Sequence, residues 1–239
     1  VRPISVAGSS IVLAADKAGE LSVPDLVAGY VHGGTVRAEF AASVLDMVTK
    51  GPVKVEAVLA YQSGPNISTG RNLLVNSFLT EYSAPWLLML DTDMVFAPDA
   101  AARLIEAADP VDRPVTGALC FSQNFQGEPY STMYELTEPE PGRLAFARRS
   151  DWPDDECVRV SATGAACLLM HRDALELVGK TSKDPAAPWF RENSVGAPLA
   201  LMGEDMTFCL RCQAAGIPVH VYTGVQAGHM KAMMLGKVT

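Results

Sequence analysis

The chain has 239 residues, 49% of them hydrophobic, and a formal net charge of -8 at pH 7. That length supports one large domain or two small ones around a substantial core, and the acidic balance excludes a general nucleic-acid binder, which needs a basic footprint. There is no apolar run of about 18 residues and no visible signal peptide, so neither a membrane-spanning nor a secreted protein is expected. Cys120, Cys157, Cys167, Cys209 and Cys212 then read as reduced thiols of a cytoplasmic protein.

Residues 1–25 carry two short apolar stretches, Ile4 to Val6 and Ile11 to Ala15, and predict a hairpin or a loose N-terminal flap. Leu26 to Val31 predicts the first core strand. His32-Gly33-Gly34-Thr35 turns into a helix with Phe40, Val44, Leu45 and Val48 roughly on one face. Lys54 to Ala60 alternates as a second strand. Ser68 or Thr69 is placed to cap a helix running through Arg71, Leu74, Val75, Phe78 and Leu79. Trp86 to Leu90 is a continuous apolar run, the pattern of a strand buried on both faces. Asp99 starts a short helix, and Val115 to Phe121 is a further strand. This strand–helix alternation predicts an α/β fold with a mostly parallel sheet and the loops after its strands on one edge.

The second half reads differently. Residues 126–160 are a long excursion rich in Pro, Glu, Asp and aromatics, with a small hairpin expected around Tyr130 to Leu136 and Leu144 to Ala147. Ala165 to Met170 is strand-like and Arg172 to Val178 a short helix. A strong helix, Met206 to Ala215, is closed by Gly216, and Pro218 to Tyr222 is the last strand.

Asp91-Thr92-Asp93 follows the buried strand directly. Two carboxylates at such a strand's C-terminal end are costly unless something cationic or polar satisfies them, and in α/β proteins ligands collect at that end. In extended chain Asp91 and Asp93 point the same way and can converge on one hard divalent cation, Mn²⁺ or Mg²⁺, that holds a diphosphate. An ordinary acidic turn is the plainer alternative. Glu204 and Asp205 open a helix, where the dipole alone favours acids; a catalytic carboxylate that deprotonates an incoming hydroxyl fits as well. His229 is a further candidate metal ligand, and Lys231 a point charge toward the same diphosphate. His32 and Gly33 would let backbone approach a ligand. Arg71 and Asn72 could reach a base or phosphate, or make a surface salt bridge. Trp189, Phe190, Trp152 and Tyr130 are candidates for stacking on a sugar or acceptor, with core packing the alternative for each. Cys209 and Cys212 read as a packed helix pair.

Taken in order, seven segments resemble a family-2-type glycosyltransferase of the GT-A fold, of the short stand-alone kind found in bacteria and bacteriophages. They are His32 to Val36, Arg71 to Val75, Leu88 to Met94, Thr163 to Met170, Pro188 to Phe190, Gly203 to Cys209 and Gly228-His229. The resemblance implies a nucleotide-sugar donor, UDP-linked in preference with a GDP-linked one the alternative, and a glycan, lipid-linked or protein acceptor. It implies that Asp91, Thr92 and Asp93 form the DxD element and that His229 is the late metal ligand. Val31, His32, Gly33 and Arg71 would border the nucleotide, and Ser161 to Ala165, with Gly164, would face the donor sugar. Asp205 would be the base of an inverting transfer, with Glu204 beside it, and Trp189, Phe190 and Trp152 would meet the acceptor. The implied layout is an extension over residues 1–25 and one domain over 26–239. Residues 26–122 would hold the nucleotide, and residues 123–239, with a small antiparallel region, the acceptor. A homodimer is the default assembly, in the cytoplasm (the host's, for a phage protein). A nucleotidyltransferase and a non-catalytic carbohydrate-binding derivative of the fold are the rival readings.

Overall fold

The computed structural model describes residues 25–63, 66–141, 143–194 and 201–231. The expected hairpin at Ile4 to Ala15 lies outside them. The first half alternates as the sequence predicts: β1 (Leu26–His32), α1 (Ala38–Lys50), β2 (Val55–Gln62), α2 (Ile67–Glu81), β3 (Trp86–Asp91), the short β4 (Met94–Val95), α3 (Ala100–Ala107) and β5 (Val115–Gln123). The excursion then forms β6 (Pro129–Ser131), β7 (Met133–Glu140), β8 (Arg143–Arg148), β9 (Cys157–Val160) and β10 (Ala162–Thr163). It is followed by β11 (Cys167–His171), α4 (Arg172–Thr181), a two-residue pair β12 (Asn193–Ser194) and β13 (Leu201–Met202), α5 (Glu204–Ala214) and β14 (Val219–His229).

The main sheet runs β2-β1-β3-β11-β5-β14-β4. Strands β2, β1, β3, β5 and β14 share one direction, and β11 is inserted antiparallel between β3 and β5. The sheet is therefore mostly parallel at its centre, with β11 reversed inside it, which periodicity cannot reveal, and with β4, β6 and β9 pairing antiparallel around it. β7, flanked by β10 and β8, makes a separate antiparallel sheet.

Helices cover both faces. Leu74, Val75 and Phe78 of α2, Leu175 and Val178 of α4 and Phe208 of α5 pack on one side of the sheet. Phe40, Val44 and Met47 of α1 and Leu104 of α3 pack on the other. Leu87, Leu88, Met89 and Leu90 of β3 are fully buried between the layers, each such side chain contributing roughly 1.5–3 kcal/mol. Two glycines set how close α2 lies to β1. A Cβ on Gly29 would come within 2.6 Å of Leu74, and one on Gly70 within 2.6 Å of Val31 Cγ1.

Helix ends differ slightly from expectation. Asn66, not Ser68 or Thr69, caps α2, its Oδ1 accepting from Thr69 N at 3.4 Å. α5 begins at Glu204 rather than Met206, and Gly216 follows it at φ +76°, the left-handed conformation that ends a helix. β14 is far longer than Pro218 to Tyr222. A register slip between Tyr222 and Gln226 lets it continue past the sheet to His229.

Candidate active site

The C-terminal ends of β1 and β3 lie side by side, with Val31 opposite Asp91. Asp91 is the last residue of β3, its N–H donating to Ala166 O at 2.9 Å. The chain turns at Thr92 and Asp93 into β4, and β14 pairs there, Gly228 against Val95 and His229 against Met94. This pairing delivers His229 to the turn: its Nε2 lies 2.8 Å from Asp93 Oδ2. Lys231 Nζ donates to the same oxygen at 3.3 Å.

The other imidazole nitrogen fixes the chemistry. His229 Nδ1 is 2.7 Å from Phe121 O. A carbonyl only accepts, so Nδ1 carries hydrogen. A neutral ring then aims the bare lone pair of Nε2 at a carboxylate, which requires a proton or a cation between them. A ring nitrogen held by a backbone carbonyl while its partner faces a carboxylate is how proteins orient imidazole toward a metal. With no cation, the pair is an ion pair. Burial acts to raise Asp93, but the hydrogen bond and charge of His229, with Lys231, outweigh it and hold the carboxyl below its usual range. The hydrogen bond to Asp93 lifts His229 above its usual value against the effect of burial.

Among the described residues no group of three or more His, Cys, Asp or Glu surrounds a common point. The donors nonetheless fit a hard divalent ion. Ligands at adjacent octahedral positions of an ion with bonds of about 2.1 Å sit about 3 Å apart, close to the Asp93–His229 separation. Two protein ligands would leave the remaining positions to water and phosphate oxygens.

A second cluster lies behind the first. Arg71 of α2, 3% exposed, donates through Nη2 to Asp91 Oδ1 at 2.7 Å and through Nη1 to Glu204 Oε1 at 2.5 Å. Burial opposes its charge, but Asp91, Glu204 and Asp205 outweigh burial and hold the guanidinium above its ordinary value. Arg71 was expected to border the nucleotide. The structure instead buries it as a bridge between β3 and the first turn of α5, and Asn72 is a pin rather than a base contact. Asn72 Nδ2 donates to Ser68 O and Phe190 O, both at 2.7 Å, while its Oδ1 accepts from Trp189 N and Phe190 N at 3.1 and 3.4 Å.

Glu204 is thus committed to Arg71, and Asp205 is the distinct carboxyl of the pair. Its Oδ1 accepts from Met206 N at 2.7 Å. A Cβ placed on Gly164 would lie 3.6 Å from its Oδ2. Burial pushes Asp205 up to about 6; Arg71 opposes this and Glu204 adds to it. A carboxyl held there is ionised at neutral pH yet more basic than a solvated one, which suits a general base.

The remaining candidates separate. His32 is half-buried, its Nδ1 accepting from Gly34 N at 3.1 Å, and the space around Gly33 is open. Trp152 is partly buried edge-on to Phe121, the residue whose carbonyl orients His229. Trp189 and Phe190, expected at the acceptor, are core residues. Trp189 Nε1 donates to Leu175 O at 2.7 Å, and Phe190 is fully buried, stacked on Phe208 at 4.7 Å. Cys209 and Cys212 are both buried in the core. The sequence reading did not single out Thr132 and Tyr134: Gly164 lies between Thr132 and Asp205, and the charge of Asp205 reaches Tyr134. The alternation Tyr130-x-Thr132-x-Tyr134 was the available signal.

No protein-family model and no curated protein sequence matches the chain. Solved structures do. The chain superposes on A197 from STIV with a TM-score of 0.53 and 17% identity, covering 87% of this chain and 86% of that one. It superposes on GalNAc-T7, solved with UDP, GalNAc and Mn²⁺, with a TM-score of 0.57 and 11% identity, covering 88% of this chain but 44% of that one. The chain has the GT-A fold.

Proposed function

We propose that the protein is a metal-dependent glycosyltransferase that moves a sugar from a nucleoside diphosphate, UDP in preference to GDP, to a hydroxyl acceptor. The observation that carries this reading is the meeting of Asp93 and His229 on a GT-A fold whose α5 brings Asp205 to the same edge. Asp93 and His229 would hold Mn²⁺ or Mg²⁺, with Asp91 behind them on Arg71. Bound there, the ion would stabilise the charge that builds on the departing diphosphate.

This chain's own residues supply the rest. Asp205 takes the proton from the acceptor hydroxyl. That oxygen bonds to the anomeric carbon as the carbon–oxygen bond to the diphosphate breaks, its electron pair leaving with the phosphate. Asp205 as the one base, with Glu204 held by Arg71, supports inversion. The open turn at His32 and Gly33 suits the nucleotide, and Lys231 lies near enough to Asp93 to exchange it for phosphate. On this reading residues 26–122 form the nucleotide half and 123–239 the acceptor half of one domain, of the family-2 type, with residues 1–25 an extension. Among the described residues no helix is long and apolar enough to cross a membrane, and a cytoplasmic enzyme is the assignment we favour.

The test is calorimetry with UDP, GDP and their sugar conjugates, each with and without Mn²⁺, followed by product analysis. Selective Mn²⁺-dependent binding and release of a nucleoside diphosphate support the reading. Release of pyrophosphate would make the protein a nucleotidyltransferase, and absence of any metal-dependent nucleotide binding would refute both.

A further inference from the structure

With Trp189 and Phe190 in the core, the acceptor needs another surface, and Asp205 points to it. Asp205 Oδ2 faces Gly164, and the position a Gly164 Cβ would take is 3.6 Å from both that oxygen and Thr132 Cβ. Thr132 joins β6 to β7 and is anchored by its N–H to Cys120 O at 2.9 Å. β7 is locked to the Asp205 side of the molecule. Tyr134 pairs with Ala162 and Met133 with Thr163, Ser161 N donates to Tyr134 O at 2.9 Å, and Cys209 of α5 points its Sγ at Thr163 O. Thr132 is a bend between β6 and β7, yet Ser131 and Met133 are buried on either side of it and the Tyr134 side chain hydrogen-bonds that of Tyr130, so Tyr130, Thr132 and Tyr134 open on the same side. All three are partly exposed. Arg148 of β8 lies 3.5 Å from the centroid of the Tyr130 ring, its guanidinium covering one face of that ring.

We infer that this row, Tyr130-x-Thr132-x-Tyr134, is the acceptor subsite and takes the terminal sugar ring of a glycan, presenting one hydroxyl to Asp205. The inference rests on the glycosyltransferase reading above and names its acceptor class. Sugar rings offer C–H faces to aromatic platforms and hydroxyls to polar edges, and this row supplies both. Burial first, then Tyr130 and Asp205, pushes Tyr134 up to about 12, so its hydroxyl keeps its proton and can donate. Gly164 leaves the space between Asp205 and Thr132 open for the reacting hydroxyl.

The test is retention of the protein, loaded with UDP and Mn²⁺, on an immobilised panel of oligosaccharides. UDP affinity and Tm are measured on the same samples. Tyr130→Ala and Tyr134→Phe are compared with wild type. Tyr134→Phe removes only a hydroxyl, so it keeps the fold even if Tyr130→Ala does not. Glycan retention falling about tenfold in Tyr130→Ala and Tyr134→Phe, with UDP affinity unchanged, supports the subsite. Retention equal to wild type in Tyr134→Phe, or no glycan retained by wild type, overturns it. Failure of wild type to bind UDP, with glycan retention still lost in the variants, would remove the transferase reading and leave the glycan site standing.

Discussion

Arg71 and Glu204 are 133 residues apart in the chain, yet Arg71 Nη1 donates to Glu204 Oε1 at 2.5 Å. The other arm of the same guanidinium holds Asp91, so one buried cation ties the acidic tip of β3 to the first turn of α5. The base candidate Asp205 is the next residue along that turn.

Removing Arg71 strands two carboxylates in a desolvated site. Arg71→Met is expected to lower stability by roughly 3–5 kcal/mol, the usual cost of breaking a buried pair from one side. Arg71→Lys keeps the charge but not the fork that reaches both acids, and is expected to fall between wild type and Arg71→Met. Denaturant unfolding ranks the three. In Arg71→Lys protein the acid limb of the pH–rate profile should also move, because Arg71 holds Asp205 down. A limb that stays put would mean Arg71 does not act on Asp205.

Asp205→Asn should cut transfer about 10²–10⁴-fold, the range for a lost general base, and leave Mn²⁺-dependent UDP binding near wild type. Wild-type turnover should rise as pH increases through about 6, where Asp205 ionises. Stability runs the other way. Because the folded-state value is raised, the protonated carboxyl favours folding below the ordinary carboxylate range, and this contribution is lost as pH climbs to about 6. Asp205→Asn should therefore raise Tm relative to wild type at about pH 8 and not at about pH 4. Thermal melts at the two pH values decide the point.

Asp93→Ala and His229→Ala should each weaken Mn²⁺-dependent UDP binding, by about 10- to 100-fold. Calorimetry of UDP with Mn²⁺ measures this directly. Stripping the metal with EDTA should abolish transfer and leave far-UV circular dichroism unchanged, since two side-chain ligands at the edge of a sheet do not hold the core together.

Gly70→Ala tests how tightly α2 must approach β1. The new methyl would collide with Val31 Cγ1 at 2.6 Å, and relief requires moving the helix that carries Arg71. A loss of about 1–3 kcal/mol is expected, the cost of overpacking, with a matching drop in UDP binding. Unchanged unfolding midpoints would show that Val31 yields instead.

The strand that ends in Asp91 was legible because β3 is buried on both faces, and an unbroken run from Trp86 to Leu90 followed by acids fits a core strand opening onto a ligand. The reversed direction of β11 was not, since apolar periodicity carries no sign. β14 looked short because Thr223-Gly224 interrupts it, and the register slip that carries it on to His229 is a tertiary event. Trp189 and Phe190 sit among prolines in a polar stretch and read as exposed. They are buried because Asn72 satisfies both of their backbone amides. Arg71 was visible as a cation, but its partners lie 20 and 133 residues away and only folding brings them together.

The 136-residue separation of Asp93 and His229 has a kinetic consequence. Contacts of such long range form slowly, since loop-closure entropy must be overcome before they are rewarded. The pocket edge is therefore finished only when β14 has threaded along β5 and reached β4. During refolding, recovery of manganese-dependent nucleotide binding should lag behind the return of helical signal, making the ligand a clock for the final strand's arrival.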